Sequence, residues 1–425
     1  MRILRYGDTG PAVQLLQLAL NRAGFGTLLT DGIFGEATGA ALREFQRAQG
    51  LRIDGVAGAQ TQRALLPWYT GYVCRVLRPG DTFYALAQRY GTTAEFIALA
   101  NPGLVPENLP VGGQIVVPLP FPVVPTGIDW CSALVAYCVR GLAARFPFLR
   151  VGQFGSSELG RPLWQLSLGE GSNRVFYSAC HHANEWITAP VLLCWAEELA
   201  WAFALGGTVA GHSAGELLDY ATVRLAPCVN PDGLDLVTGE LRDTQLLAPV
   251  RRIAAAYPRY PFPDGWKANI RGTDLNLQYP AGWERARENK FAQGITSPAP
   301  ADYVGPAPLS ASEARALYRA TAAFDPALVI ALHTQGEVVY WRYLDHEPPQ
   351  GRAIAEAFFQ VSGYRPDDAP YASGFAGYKD WFIDRYDRPG FTVEAGRGRN
   401  PLPLSDFPDI YEACRAILTL GALVT

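Results

Sequence analysis

The chain has five histidines in 425 residues. One of them, His182, stands three residues before Glu185 in His181-His182-Ala183-Asn184-Glu185-Trp186. A histidine and a carboxylate at that spacing read as a metal-binding pair. A catalytic zinc site takes three protein ligands and keeps one position open, so a third ligand must come from elsewhere in the chain. His333 is the candidate, because it ends the apolar run Leu328-Val329-Ile330-Ala331-Leu332 much as the pair follows Val175 to Cys180. Both runs read as short buried strands, and open α/β sheets gather ligands at the carboxyl ends of their strands. His181 is expected to point away from the pair, His212 lies in a Gly-rich loop, and His346 precedes Glu347-Pro348-Pro349. A lone histidine in such surroundings is more often a hydrogen-bonded core residue, but two at strand ends, one with a glutamate at +3, favour metal. Glu394, in Gly390-Phe391-Thr392-Val393-Glu394-Ala395-Gly396, is a carboxylate at a third strand end, which favours a functional role over a salt-bridged one.

The elements that must position these groups follow from periodicity. After the pair, Thr188 to about Phe203 reads as a helix, and from residue 128 onward short apolar strands alternate with helical stretches. That alternation is the pattern of an α/β sheet with helices on both faces, doubly wound. Asn230-Pro231-Asp232-Gly233 reads as a turn after the strand-like Thr222 to Val229. Apolar residues make up 49% and charged residues 18%, with a net charge of -4 and a pI near 5.8. The chain is therefore expected to be globular, and it offers no basic field for nucleic acid. The N-terminus has no long apolar stretch, so neither a signal peptide nor a membrane span is expected. The seven cysteines lack metal-type spacing, and no disulfide is assigned.

Residues 1–67 contain an internal repeat, Asp31-Gly32-Ile33-Phe34-Gly35-Glu36-Ala37-Thr38 and Asp54-Gly55-Val56-Ala57-Gly58-Ala59-Gln60-Thr61. Helical spacing of Ala41, Leu42, Phe45 and Ala48, and a first helix starting at Pro11, make this a small three-helix module. It resembles the peptidoglycan-binding domain. Residues 72–118 read as strand, two capped helices and strand. With Arg78-Pro79-Gly80-Asp81-Thr82 and Leu109-Pro110-Val111-Gly112-Gly113-Gln114-Ile115 they resemble a LysM domain, which implies a ligand containing N-acetylglucosamine. The Pro-rich segment 119–127 is expected to be a semi-rigid linker.

Residues 128–425 resemble the zinc carboxypeptidase family, which implies a mixed α/β sheet with helices on both faces and one Zn2+ per chain. The family's His-x-x-Glu falls on His182 and Glu185, its distant third ligand on His333, and its catalytic glutamate on Glu394. Its Asp-x-Asn pair falls on Asp274 and Asn276, so Asp274 is expected to orient His182 and Asn276 to contact substrate. The resemblance assigns polarisation of the scissile carbonyl to Arg271, with Lys267 a rival, and the mobile substrate tyrosine to Tyr371, with Tyr378 a rival. Glu394 would take a proton from water and return it to the leaving amine. The family's usual Asn-Arg is Asn276-Leu277 here, and a leucine cannot grip a substrate's terminal carboxylate. With the two wall-binding modules, this departure resembles the γ-D-glutamyl-L-diamino-acid endopeptidases of bacilli. It implies cleavage of the bond from γ-D-glutamate to meso-diaminopimelate or lysine in peptidoglycan, at the cell wall or spore. A broad metallocarboxypeptidase and a non-catalytic glycan-binding protein are the alternatives.

Overall fold

A computed structural model describes residues 2–424. It divides into two compact units, Met1–Arg150 and Val151–Thr425.

The first unit opens with α1 (Pro11–Arg22), α2 (Glu36–Ala48) and α3 (Ala59–Thr70). Their apolar faces bury Val13, Leu16, Leu20, Phe34, Leu42, Phe45 and Leu65. Each Asp-Gly turn of the repeat is held by one buried glutamine from the helix before it. Gln17 Nε2 donates to Asp31 Oδ1 at 2.8 Å, to the Ile33 carbonyl and to Thr38 Oγ1, while its Oε1 accepts the Gly32 amide. Gln46 makes the same four bonds to Asp54, Val56, Thr61 and Gly55. Gly32 and Gly55 sit at φ of +72° and +69°, where a Cβ is strained.

β1 (Tyr72–Val76) and β2 (Gln114–Pro118) then pair antiparallel around α4 (Phe83–Tyr90) and α5 (Ala94–Ala100). Thr82 and Thr93 cap the two helices through their hydroxyls, as the sequence predicts. The segment expected to be a linker is packed rather than free: Leu119, Val123 and Val124 are buried. The reason is α6 (Ser132–Arg145), which lies in the first unit. Arg145 donates from Nε and Nη2 to the Gly71 carbonyl and from Nη2 to the Leu119 carbonyl at 2.7 Å, and Tyr137 stacks on Tyr69 at 5.2 Å. Gly141 permits this approach, since a Cβ there would come within 2.1 Å of the Thr70 carbonyl.

The second unit is built on an eight-stranded mixed sheet. Its strands are β3 (Arg150–Ser156), β4 (Pro162–Leu168), β5 (Asn173–Ser178), β6 (Ala221–Ala226), β7 (Leu328–His333), β8 (Val338–Tyr340), β9 (Arg365–Asp367) and β10 (Gly390–Glu394). They lie in the order β9-β8-β10-β7-β5-β6-β4-β3. The central strands β10, β7, β5 and β6 are mutually parallel, while β8 and β4 run against their inner neighbours. The sheet is therefore mixed, as the family resemblance implies, and departs from an all-parallel doubly wound order.

Alternate residues of β5 feed the two faces. Phe176 meets Phe324 of α9 (Ser312–Phe324) edge to face at 6.1 Å. Tyr177 tilts against Trp195 of α7 (Thr188–Ala204) at 5.7 Å and donates to the Leu418 carbonyl of α10 (Phe407–Gly421). Residues 183–204 are long and apolar enough to cross a membrane by composition, but 67% of that apolar window is buried within the unit, as in a core helix. The turn expected at Asn230 is the start of a short helix, α8 (Pro231–Val237). Asn230 Oδ1 caps it by accepting the Gly233 amide at 3.0 Å, with Pro231 in the first turn.

Candidate metal centre and active-site cleft

Because β5, β7 and β10 run parallel, their carboxyl ends deliver their following residues to one edge of the sheet. Glu394 is the register neighbour of His333 across β10 and β7. His182 follows β5 by four residues and opens a single 3-10 turn, Ala183–Glu185, that brings Glu185 to the same side. Thr188 pins this turn: its hydroxyl donates to the Glu185 carbonyl and accepts the Cys180 amide. Asn230 ties it to the next loop, donating from Nδ2 to the His181 and Ala268 carbonyls.

The three ligand atoms converge. His182 Nδ1 lies 2.9 Å from Glu185 Oε1, His333 Nδ1 lies 2.9 Å from Glu185 Oε2, and the two Nδ1 atoms are 3.2 Å apart. His182, Glu185 and His333 are the one group of three or more candidate ligands among the described residues. The far nitrogen of His182, Nε2, is 3.0 Å from Asp274 Oδ1, which puts the proton on Nε2 and leaves Nδ1 a lone pair directed at the cluster. Burial alone would lower the His182 pKa, but the Glu185 and Asp274 carboxylates raise it to about 10, so the field here favours a positive charge. Burial pushes Glu185 up, and His182 and Lys267 more than reverse that, holding it well below the usual carboxylate range. Two nitrogens and a carboxylate that converge in a field favouring a cation fit a zinc ion.

Asp274 is itself held. Its Oδ2 accepts the Asp302 amide, its own amide donates to Tyr303, and the Asp302 carboxylate is clamped by Lys290 Nζ at 2.6 Å and Tyr260 Oη at 2.9 Å. The Lys267 and Ala268 amides both donate to the Pro300 carbonyl, so one loop sets Asp274 and Lys267 together. No local motif in the sequence announces the roles of Asp302 or Pro300.

These groups open onto a cleft of about 560 Å3. His182, Lys267, Asp274, Asn276, Leu277 and Glu394 are among the residues that line it. Burial, followed by the charge of Glu185, raises the Glu394 pKa to about 8. Lys267 Nζ donates to Glu185 Oε1 at 2.9 Å; burial would lower its pKa, but Glu185 raises it and keeps the ammonium charged. Arg271 does not line the cleft: its side chain is 65% exposed, with Nε 3.7 Å from Glu158. Asn276 Oδ1 accepts the Tyr378 amide. Tyr371 is exposed with its ring edge-on to Phe375 at 5.1 Å, whereas Tyr378 is buried with its hydroxyl bonded to Thr321. His181 is buried and bonded to Ser178 Oγ, His346 faces Asp387, and the seven cysteines are free thiols.

The mixed sheet, with two histidines and a glutamate gathered at the ends of its parallel strands, defines a metallohydrolase. Residues 135–413 match the zinc carboxypeptidase family, and the chain belongs to that family as a zinc metallopeptidase. Residues 9–65 match a peptidoglycan binding domain and residues 76–118 a LysM domain. The chain is 42% identical over 283 residues to gamma-D-glutamyl-L-diamino acid endopeptidase 1 of Lysinibacillus sphaericus, covering 67% of this chain and 69% of that protein. Its N-terminal part is 43% identical over 65 residues to the spore cortex-lytic enzyme of Bacillus cereus, covering 15% of this chain and 25% of that enzyme. In fold it is similar to carboxypeptidase A from Helicoverpa armigera, with a TM-score of 0.53 at 16% identity over 90% of this chain and 86% of that one.

Proposed function

We propose that the chain is a peptidoglycan hydrolase that cuts the bond between γ-D-glutamate and the diamino acid, meso-diaminopimelate or lysine, of stem peptides. The observation that carries the chemistry is the convergence of His182, Glu185 and His333 beside Glu394 in one cleft. The substrate class is supported by the 42% identity to the Lysinibacillus endopeptidase and by the two N-terminal domain matches. Leu277 adds to this, since it lines the cleft without a charge for a peptide's terminal carboxylate.

His182, Glu185 and His333 would hold zinc, and Asp274 would fix the His182 tautomer from behind. Bound zinc supplies Lewis acidity to water and to the scissile carbonyl. Glu394, which lines the same cleft, takes the proton of the attacking water and returns it to the leaving amine. The cation that helps stabilise the developing oxyanion is Lys267, which lines the cleft, rather than Arg271, which does not. Asn276 and the exposed Tyr371 contact the substrate from the cleft wall and rim. The N-terminal modules hold the wall and raise the local concentration of stem peptide, which sets the site of action at the cell wall or spore.

Mass spectrometry of defined muropeptides after incubation with the zinc-loaded chain tests the proposal. Products split at the γ-D-glutamyl bond are expected. Stepwise removal of single residues from ordinary L-peptides, with stem peptides left intact, would replace the proposal with a broad metallocarboxypeptidase.

A further inference from the structure

The repeat in the first unit uses one device twice, but finishes it in two different ways. One turn before Gln17 and Gln46 stand Gln14 and Arg43, each overlying the glycine of the turn that its helix holds. Gln14 Cγ lies 3.0 Å from where a Cβ on Gly32 would sit, and Arg43 Nη1 lies 3.0 Å from where a Cβ on Gly55 would sit. Over the first turn, Gln14 Oε1 accepts the Asp129 amide at 2.9 Å, so the chain itself covers that notch. Over the second turn, Arg43 is exposed, and no hydrogen bond or ion pair engages it among the described residues. The notch there is an open cleft of about 360 Å3 lined by Tyr6, Phe34, Glu36, Gly39, Arg43 and Gly55.

The chemistry of the cleft says what it takes. A guanidinium without an acceptor presents a planar fork of N–H donors that matches a carboxylate through two parallel bonds. Gly39 and Gly55 leave the room in which that fork lies, and the buried Phe34 underlies it. Tyr6, 74% exposed, adds an aromatic face to one wall. Glu36 stands seven residues back along α2, about 10 Å. A peptide with a carboxylate at one end and an ammonium at the other therefore suits the cleft better than a bare anion. We infer that this cleft is a contact for peptidoglycan separate from the catalytic one, in which Arg43 grips a free carboxylate of a stem peptide. This rests on the reading that the chain acts on peptidoglycan.

Co-sedimentation of the zinc-loaded full-length chain with purified sacculi tests it, alongside sacculi whose stem peptides have been removed enzymatically. Arg43→Gln copies the residue that the first repeat carries at the same place, so the fold accommodates it. The variant is expected to bind intact sacculi about tenfold more weakly than wild type and to lose the salt dependence of binding. Its binding to stripped glycan and its hydrolysis of a soluble stem peptide should be unchanged. Arg43→Lys, which keeps charge without the fork, should recover only part of the loss. Equal binding of intact sacculi by wild type and Arg43→Gln overturns the site, as does an equal loss on stripped glycan. Failure of wild type to sediment with either material overturns the peptidoglycan reading itself, and this inference with it.

Discussion

In the mechanism we propose, Glu394 at the end of β10 handles proton transfer, and Lys267, four residues from the expected arginine, handles charge stabilisation. Glu394→Gln keeps the shape of the site but cannot accept a proton. It is expected to lower kcat by about 10^3-fold with zinc content unchanged, measured by turnover of a soluble stem peptide beside elemental analysis. Lys267→Met is expected to lower kcat by about 10^2-fold and Arg271→Met to leave it within a few-fold, and the reverse order would restore Arg271 as the polarising group. His182, Glu185, His333 and Glu394 were legible because each follows or ends an apolar run short enough to be a buried strand, and strand ends of a parallel sheet meet. The choice between Lys267 and Arg271 was not legible. Both lie in one loop, and the bond that holds the Lys267 backbone there, from its amide to the Pro300 carbonyl, spans more than thirty residues.

At the level of elements, strands and caps could be read from local pattern, whereas the glutamines that organise the repeat could not. A glutamine in a helix looks like a surface residue, and Gln17 and Gln46 become interior only because the turn that follows folds back onto them. Gln46→Ala would leave the Gly55 amide without its acceptor. A loss of about 1 to 3 kcal/mol of local stability is expected, read as faster amide exchange at Gly55 and Val56 with the LysM segment unaffected. In the second unit, Glu313 on α9 is fully buried between the Glu158 amide and Asn269, and burial raises its pKa to about 7. A folded-state value above the unfolded one means that its contribution is complete below pH 4.5 and is lost as pH rises through about 7. Denaturation of wild type and Glu313→Gln at pH 5 and pH 8 should show wild type alone losing on the order of 2 kcal/mol over that interval.

For the whole molecule, the order of modules is legible in their motifs, whereas the packing partner of α6 is not. Its alternation of apolar residues suits either unit, and only the bonds from Arg145 to the Gly71 and Leu119 carbonyls reveal where it belongs. A fragment of residues 1–118 lacks those bonds and exposes the apolar face that Leu119, Val123 and Val124 would cover. It is expected to melt several degrees below a fragment of residues 1–150, compared by calorimetry.

That same staple has a mechanical outcome. With Arg145 fastening the end of α3 to the segment after β2, the helical module and the LysM module are parts of a single block rather than beads on a string. Once one of them has a grip, the other can reach only places at a set distance along the polymer, so the first unit behaves as a caliper with its jaws locked at one width.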